Sequence, residues 1–165
     1  MTPKARPIGL QLAATAKTVS RAFNATLAEA GGSLPIWLIL TALRREQWRT
    51  QLELARSLGI EGPTLTRHLD GMERAGLVQR RRDPDDRRAV QVELTDGGRA
   101  LHGRLRANVI RFDEQLRAGL GADEIDQLRA TLARLEHNVG AEGDEAGWTG
   151  FRGGHERVED DSTDQ

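Results

Sequence analysis

The apolar residues of this chain recur at helical spacing from the N-terminus onward, switch to a spacing of two over one short stretch, 78–94, and then return to helical spacing. A chain so patterned folds as helices around one small hairpin. Leu12, Ala16, Val19, Phe23 and Leu27 form the first stripe, which Gly31 and Gly32 stop. Ser33 is placed to cap a second helix, with Pro35 in its first turn and Trp37, Leu40 and Leu43 facing the core. Thr50 and Glu53 have capping-box spacing and open a short helix carrying Leu52, Ala55 and Leu58, closed by Gly59. Leu65, Leu69 and Met72 stripe the next helix, which ends at Gly76, so two helices joined through a glycine turn form a helix-turn-helix candidate. Val78 then begins a strand, the Asp83-Pro84-Asp85-Asp86 cluster makes a turn, and Val90, Val92 and Leu94 alternate with Gln91 and Glu93. Thr95 caps a long helix striped by Leu101, Leu105, Val109, Phe112 and Leu116; after 119–121 a last helix carries Ile125, Leu128, Leu132 and Leu135.

Charge divides the chain of 165 residues in two. Residues 141–165 hold eight acids against two bases, while the rest carries 22 bases against 17 acids. A basic body with an acidic, glycine-rich tail is the pattern of a folded domain that meets a polyanion beside a tail too polar to build a core. The tail is therefore expected to be disordered, and one domain is expected over 1–140. There is no apolar run long enough for a membrane span and no apolar signal-peptide core in the first eight residues, so a cytoplasmic protein is expected. The absence of cysteine excludes disulfides, thiolate metal sites and thiol redox switching.

The second helix of the pair spends its apolar face on Leu65, Leu69 and Met72, leaving Thr64, Thr66, Arg67 and His68 outward near its start. That end of a helix is the part that reaches base edges in a major groove, where arginine donates two hydrogen bonds to guanine and threonine serves bases or phosphates. Pro63 sits there without cost, since the first-turn amides have no helical partner, and the free donors beside it favour a phosphate. The hairpin concentrates Arg80, Arg81, Arg82, Arg87 and Arg88, and guanidinium groups on a thin ribbon suit the negative potential of a narrow minor groove. The acids at 83, 85 and 86 shape the turn and orient an arginine by pairing, so these five bases do not all count as phosphate contacts.

The stretch beginning at Leu54, LARSLGIEGPTLTRHLDGMERAGLVQRRRDPDDRRAVQVELTDGG, closely resembles the winged helix-turn-helix of the MarR family of bacterial transcriptional regulators. The flanking LPIWLILTAL and LARLEHN look most like its SlyA branch, and the resemblance runs from about Pro7 to Val139. It implies a mainly α fold with a small β-hairpin wing. In that reading, dimerisation helices cover about 7–31 and 96–139, and the winged helix-turn-helix covers about 33–95. It further implies an obligate homodimer whose terminal helices interlock, and a repressor reading a pseudo-palindrome in double-stranded DNA. By motif position Arg67 corresponds to the recognition-helix arginine on bases, Arg88 to the wing arginine in the minor groove, and Asp86 to the acid that positions it. Pro63, Thr64, Thr66 and His68 would add groove contacts, with Arg82 and Arg87 on the wing. Many members are released from DNA by small phenolic or aromatic anions; the resemblance places such an effector near Lys17, Arg21 and Trp37.

The residues speak against two other classes. For an enzyme, His68, His102, His137 and His155 are scattered, and HExxH, phosphate-loop, GxGxxG and GxSxG patterns are absent. Neither a cofactor nor a metal site is expected. A protein-interaction module that had lost DNA binding should carry acids or bulky apolar groups at Thr64, Thr66 and Arg67, and it does not.

Overall fold

Local capping chemistry sets most of the element boundaries. The structure, a computed structural model, describes residues 6–82 and 90–140. Helix α1 (Ile8–Glu29) ends through Ala30 into Gly31, whose φ of 85° reverses the chain. Ser33 then accepts the Ile36 amide and starts α2 (Leu34–Arg45). At its far end the Ala42 carbonyl accepts both the Glu46 amide at 3.2 Å and the Trp48 indole at 3.1 Å, which ties the segment after α2 back onto the helix. The capping box of α3 (Gln51–Leu58) is complete: the Thr50 hydroxyl accepts the Glu53 amide at 3.1 Å and the Glu53 carboxylate accepts the Thr50 amide at 3.2 Å. Gly59 and Gly76, with φ of 62° and 69°, end α3 and α4 (Gly62–Arg74).

Strands β1 (Val78–Arg82) and β2 (Val90–Leu94) pair antiparallel, with Val78 opposite Leu94 and Arg82 opposite Val90. Helix α5 (Asp96–Leu116) follows at once, and α6 (Ala122–Asn138) closes the order. The start of α5 is bolted to the end of α4. The Thr95 amide donates to the Leu77 carbonyl at 3.1 Å; its hydroxyl donates to the Gly76 carbonyl at 2.5 Å and accepts the Gly98 amide at 3.0 Å.

One core joins α1, α2, the helix pair, the hairpin and α5. Leu27, Ile39, Leu40, Leu54, Leu65, Leu69, Val78 and Leu105 are its largest fully enclosed side chains. Burying a leucine of this kind contributes roughly 1.5–3 kcal/mol. Phe23 and Phe112, with ring centres 5.3 Å apart, hold α1 to α5. Leu52 corrects the sequence expectation: it is 54% exposed and Leu54 takes its place inside. Helix α6 buries none of its residues. Leu116, Leu128 and Leu132 stay exposed, as do Ile8 and Leu10 of α1. Among the described residues no single helix is long and apolar enough to cross a membrane. The acidic stretch 141–165 lies outside the described residues.

Candidate nucleic-acid interface

Helix α4 turns Leu65, Leu69 and Met72 inward against the core, which forces the intervening positions out. Pro63, Thr66 and Arg67 are exposed; Thr64 and His68 are half-buried at the flanks of that face. The first turn of α4 contains no acid and Glu61 makes no side-chain cap, so the free amides at this end meet solvent. The Thr66 hydroxyl donates to the Gly62 carbonyl at 3.0 Å, which orients its oxygen along the helix. Arg67 makes no ion pair with a described residue and is free to reach outward.

The hairpin treats its arginines unequally. Along a strand successive side chains point to opposite faces. Val78 is buried, so Arg80 faces the protein as well and Arg81 faces away. Arg80 pairs with Asp70 and Glu73 of α4, while Arg81 lies 3.4 Å from Glu93, which also accepts from the Gln79 amide group. The sequence does not say which arginine of the run pairs with an acid; among the described residues Arg80 does so most closely, with two acids of α4. Arg82 ends β1. Asp86, Arg87 and Arg88 lie outside the described residues.

The three residues expected near an effector differ in exposure. Lys17 and Arg21 are exposed on α1. Trp37 is buried in α2, where its ring stacks on His102 of α5 at 5.2 Å and 13°. A cavity of about 430 Å³ opens elsewhere, at the joint of α5 and α6, with Arg117, Leu120, Ile125 and Arg129 on its walls. Among the described residues no group of three histidines and acids is arranged to hold a metal ion.

His102 itself was not singled out from the sequence, because its surroundings depend on α2 meeting α5. Burial pulls its pKa below the ordinary 6.5, and the charges of Arg44 and Arg106 push the same way. The unfolded chain therefore takes up a proton at a higher pH than the native protein does. Stability from this group is fully present above pH 6.5 and is lost as pH falls through the depressed native value. We expect the melting temperature to drop between about pH 7.5 and 5.5, and His102→Gln to flatten that drop. Thermal melts of both proteins across the range check it; parallel curves would remove His102 as the cause.

Comparison with known proteins agrees with this geometry. A family model described as the MarR family matches residues 33–90. The transcriptional repressor CouR, bound to a 23-mer DNA duplex, shares 33% identity over 78% of this chain and 92% of that one, with a TM-score of 0.70. A MarR mutant from E. coli, complexed with operator DNA, shares 28% identity over 78% and 93%, with a TM-score of 0.67. The M. tuberculosis transcriptional regulator MosR, in complex with DNA, shares 25% identity over 81% and 96%, with a TM-score of 0.62.

Proposed function

The chain belongs to the MarR family of transcription regulators, whose members are not enzymes, and on that premise we propose that it is a repressor binding a pseudo-palindromic operator in double-stranded DNA as a homodimer. The observation that carries this reading is the outward face of α4, where Pro63, Thr66 and Arg67, which has no ion pair with a described residue, stand beside helix-start amides with no acid in the turn. Arg67 reads base edges, and Pro63, Thr64, Thr66 and His68 make the neighbouring groove contacts. Arg82, Arg87 and Arg88 serve the wing, with Asp86 orienting Arg88 for the minor groove. CouR and the two other DNA-bound relatives support a DNA partner.

Residues 1–140 act as a single unit in this reading, with 7–31 and 96–139 as the dimerisation helices. The exposed Ile8, Leu10, Leu116, Leu128 and Leu132 support a second copy as their cover. The acidic tail competes weakly with DNA for the basic body. A small aromatic or phenolic anion relieves repression at a crevice involving Lys17 and Arg21, with Trp37 behind it. The flanks of the domain support the SlyA-like branch.

Fluorescence anisotropy tests the core of this proposal, using purified protein, duplex DNA from upstream of its own gene, a scrambled duplex and a salt series. We expect at least about a thousandfold preference for the upstream duplex and a steep loss of affinity with salt. If weak, equal binding persists for both that duplex and the best duplex selected from a random library, the winged domain does not read DNA sequence.

A further inference from the structure

Arg80 lies in the middle of β1, opposite Val92. Its guanidinium bridges two carboxylates of α4 that are one helical turn apart: Nη2 is 2.7 Å from Asp70 Oδ1 and Nη1 is 2.8 Å from Glu73 Oε2. Glu73 grips the strand a second time, its other oxygen accepting the Arg80 backbone amide at 3.2 Å. Nη2 also reaches the Thr66 carbonyl at 3.5 Å, one residue before Arg67. The Arg80 side chain is only 21% exposed, against 51% and 41% for its two acids, whereas neighbouring Arg81 is 67% exposed with one longer contact. A planar fork between two carboxylates fixes direction as well as distance, which a lysine at this place would not do.

We infer that Arg80 is a positioning residue, a clamp that holds the hairpin to the recognition helix and sets the offset between their two groove contacts without touching DNA itself. The inference rests on the DNA-binding reading of α4 for its consequence, though the clamp is a property of the free protein. A two-stranded hairpin has little stability of its own. Core packing of Val78 and Val92 roots the hairpin, but packing alone does not fix its direction relative to Arg67, and the described polar ties from α4 side chains to β1 all run through Arg80. The acids have a defined part too. Unpaired carboxylates on a DNA-facing helix repel phosphate, so neutralising Asp70 and Glu73 would ordinarily tighten DNA binding. A clamp reverses that sign.

The test compares full-length wild type, Arg80→Gln, Arg80→Lys, the double variant Asp70→Asn with Glu73→Gln, and the triple variant combining Arg80→Gln with both acid changes. Hydrogen exchange of the free proteins is the first readout. Amides of β1 and β2 should exchange roughly tenfold faster in every variant, while the amides of α2 keep their protection. The second readout is the preference for operator over scrambled DNA. It should fall roughly tenfold in Arg80→Gln and in the acid pair alike, with the triple variant no worse than either, as expected for groups acting through one contact. Unchanged exchange in the hairpin overturns the clamp, and so does tighter operator binding by the acid pair. If Arg80→Gln fails to fold, the acid pair, which retains Arg80, carries the same test. A wild type with no operator preference refutes the DNA reading, and the exchange data still decide the clamp.

Discussion

Gly98→Ala is expected to destabilise the protein by about 3 kcal/mol, toward the upper end of what one overpacked methyl group costs. A Cβ at this position would lie 2.0 Å from the Leu77 carbonyl oxygen and 3.0 Å from its carbon, with Leu94 Cδ2 at 3.3 Å behind. The nearest obstacle is backbone, so no rotamer change relieves it. The only escape is for the start of α5 to withdraw from 76–77, and that movement breaks the Thr95 amide bond to Leu77 and the Thr95 hydroxyl bond to Gly76. Those bonds connect the end of α4, the root of the hairpin and the helix that carries Leu101 and Leu105 into the core. Thermal melts at fixed protein concentration should show a fall of roughly 6–12 °C. Gly71→Ala is the control: it lies inside α4, nothing stands within 4 Å of its added Cβ, and it should be neutral or stabilising by about 0.5–1 kcal/mol. A Gly98→Ala protein melting with wild type would mean that α5 does not dock as closely as this geometry requires.

The parts of this fold that could be read in the sequence are those decided within a few residues. Ser33, Thr50 with Glu53, and Thr95 all cap the helices their spacing predicts, and Gly59 and Gly76 take the left-handed turn expected of them. Sequence failed where a choice between equivalent local patterns was settled by distant packing. In the eight-residue α3, Leu52 and Leu54 each make an acceptable stripe with Leu58, and contact with the rest of the core selects Leu54. His102 is a lone histidine until α5 lies against Trp37. The arginine run showed that its five bases are not equivalent, but singling out Arg80 needed the period of the strand: Val78, two residues earlier, is buried and turns Arg80 inward. The apolar stripe of α6 was legible as a stripe, but a single chain offers nothing to bury Leu128 and Leu132.

Removing the Arg67 side chain should cost about 1–3 kcal/mol in operator affinity, which is roughly 5- to 150-fold, concentrated at one base step. The structure distinguishes Arg67 from the other arginines around α4. Arg80 is held by Asp70 and Glu73, and Arg74 donates its Nε to the Asp70 carbonyl at 3.2 Å, whereas Arg67 is exposed and free of any ion pair with a described residue. It stands one turn beyond Pro63, on the side opposite Leu65 and Leu69, where the start of a helix inserted in a major groove meets base edges. A free guanidinium there can donate two parallel hydrogen bonds to a guanine, and truncation leaves those acceptors without a protein donor. Arg67→Ala should therefore bind every base at the affected step about equally, while its weak binding to scrambled DNA falls much less. Arg67→Lys separates geometry from charge: it should keep the salt dependence of wild type and still lose most of the base discrimination. Anisotropy titrations on a set of operators varied one step at a time supply both quantities. An equal loss on operator and scrambled duplex, with the slope of log affinity against log salt reduced by about one, would make Arg67 a phosphate contact and move sequence reading elsewhere on α4.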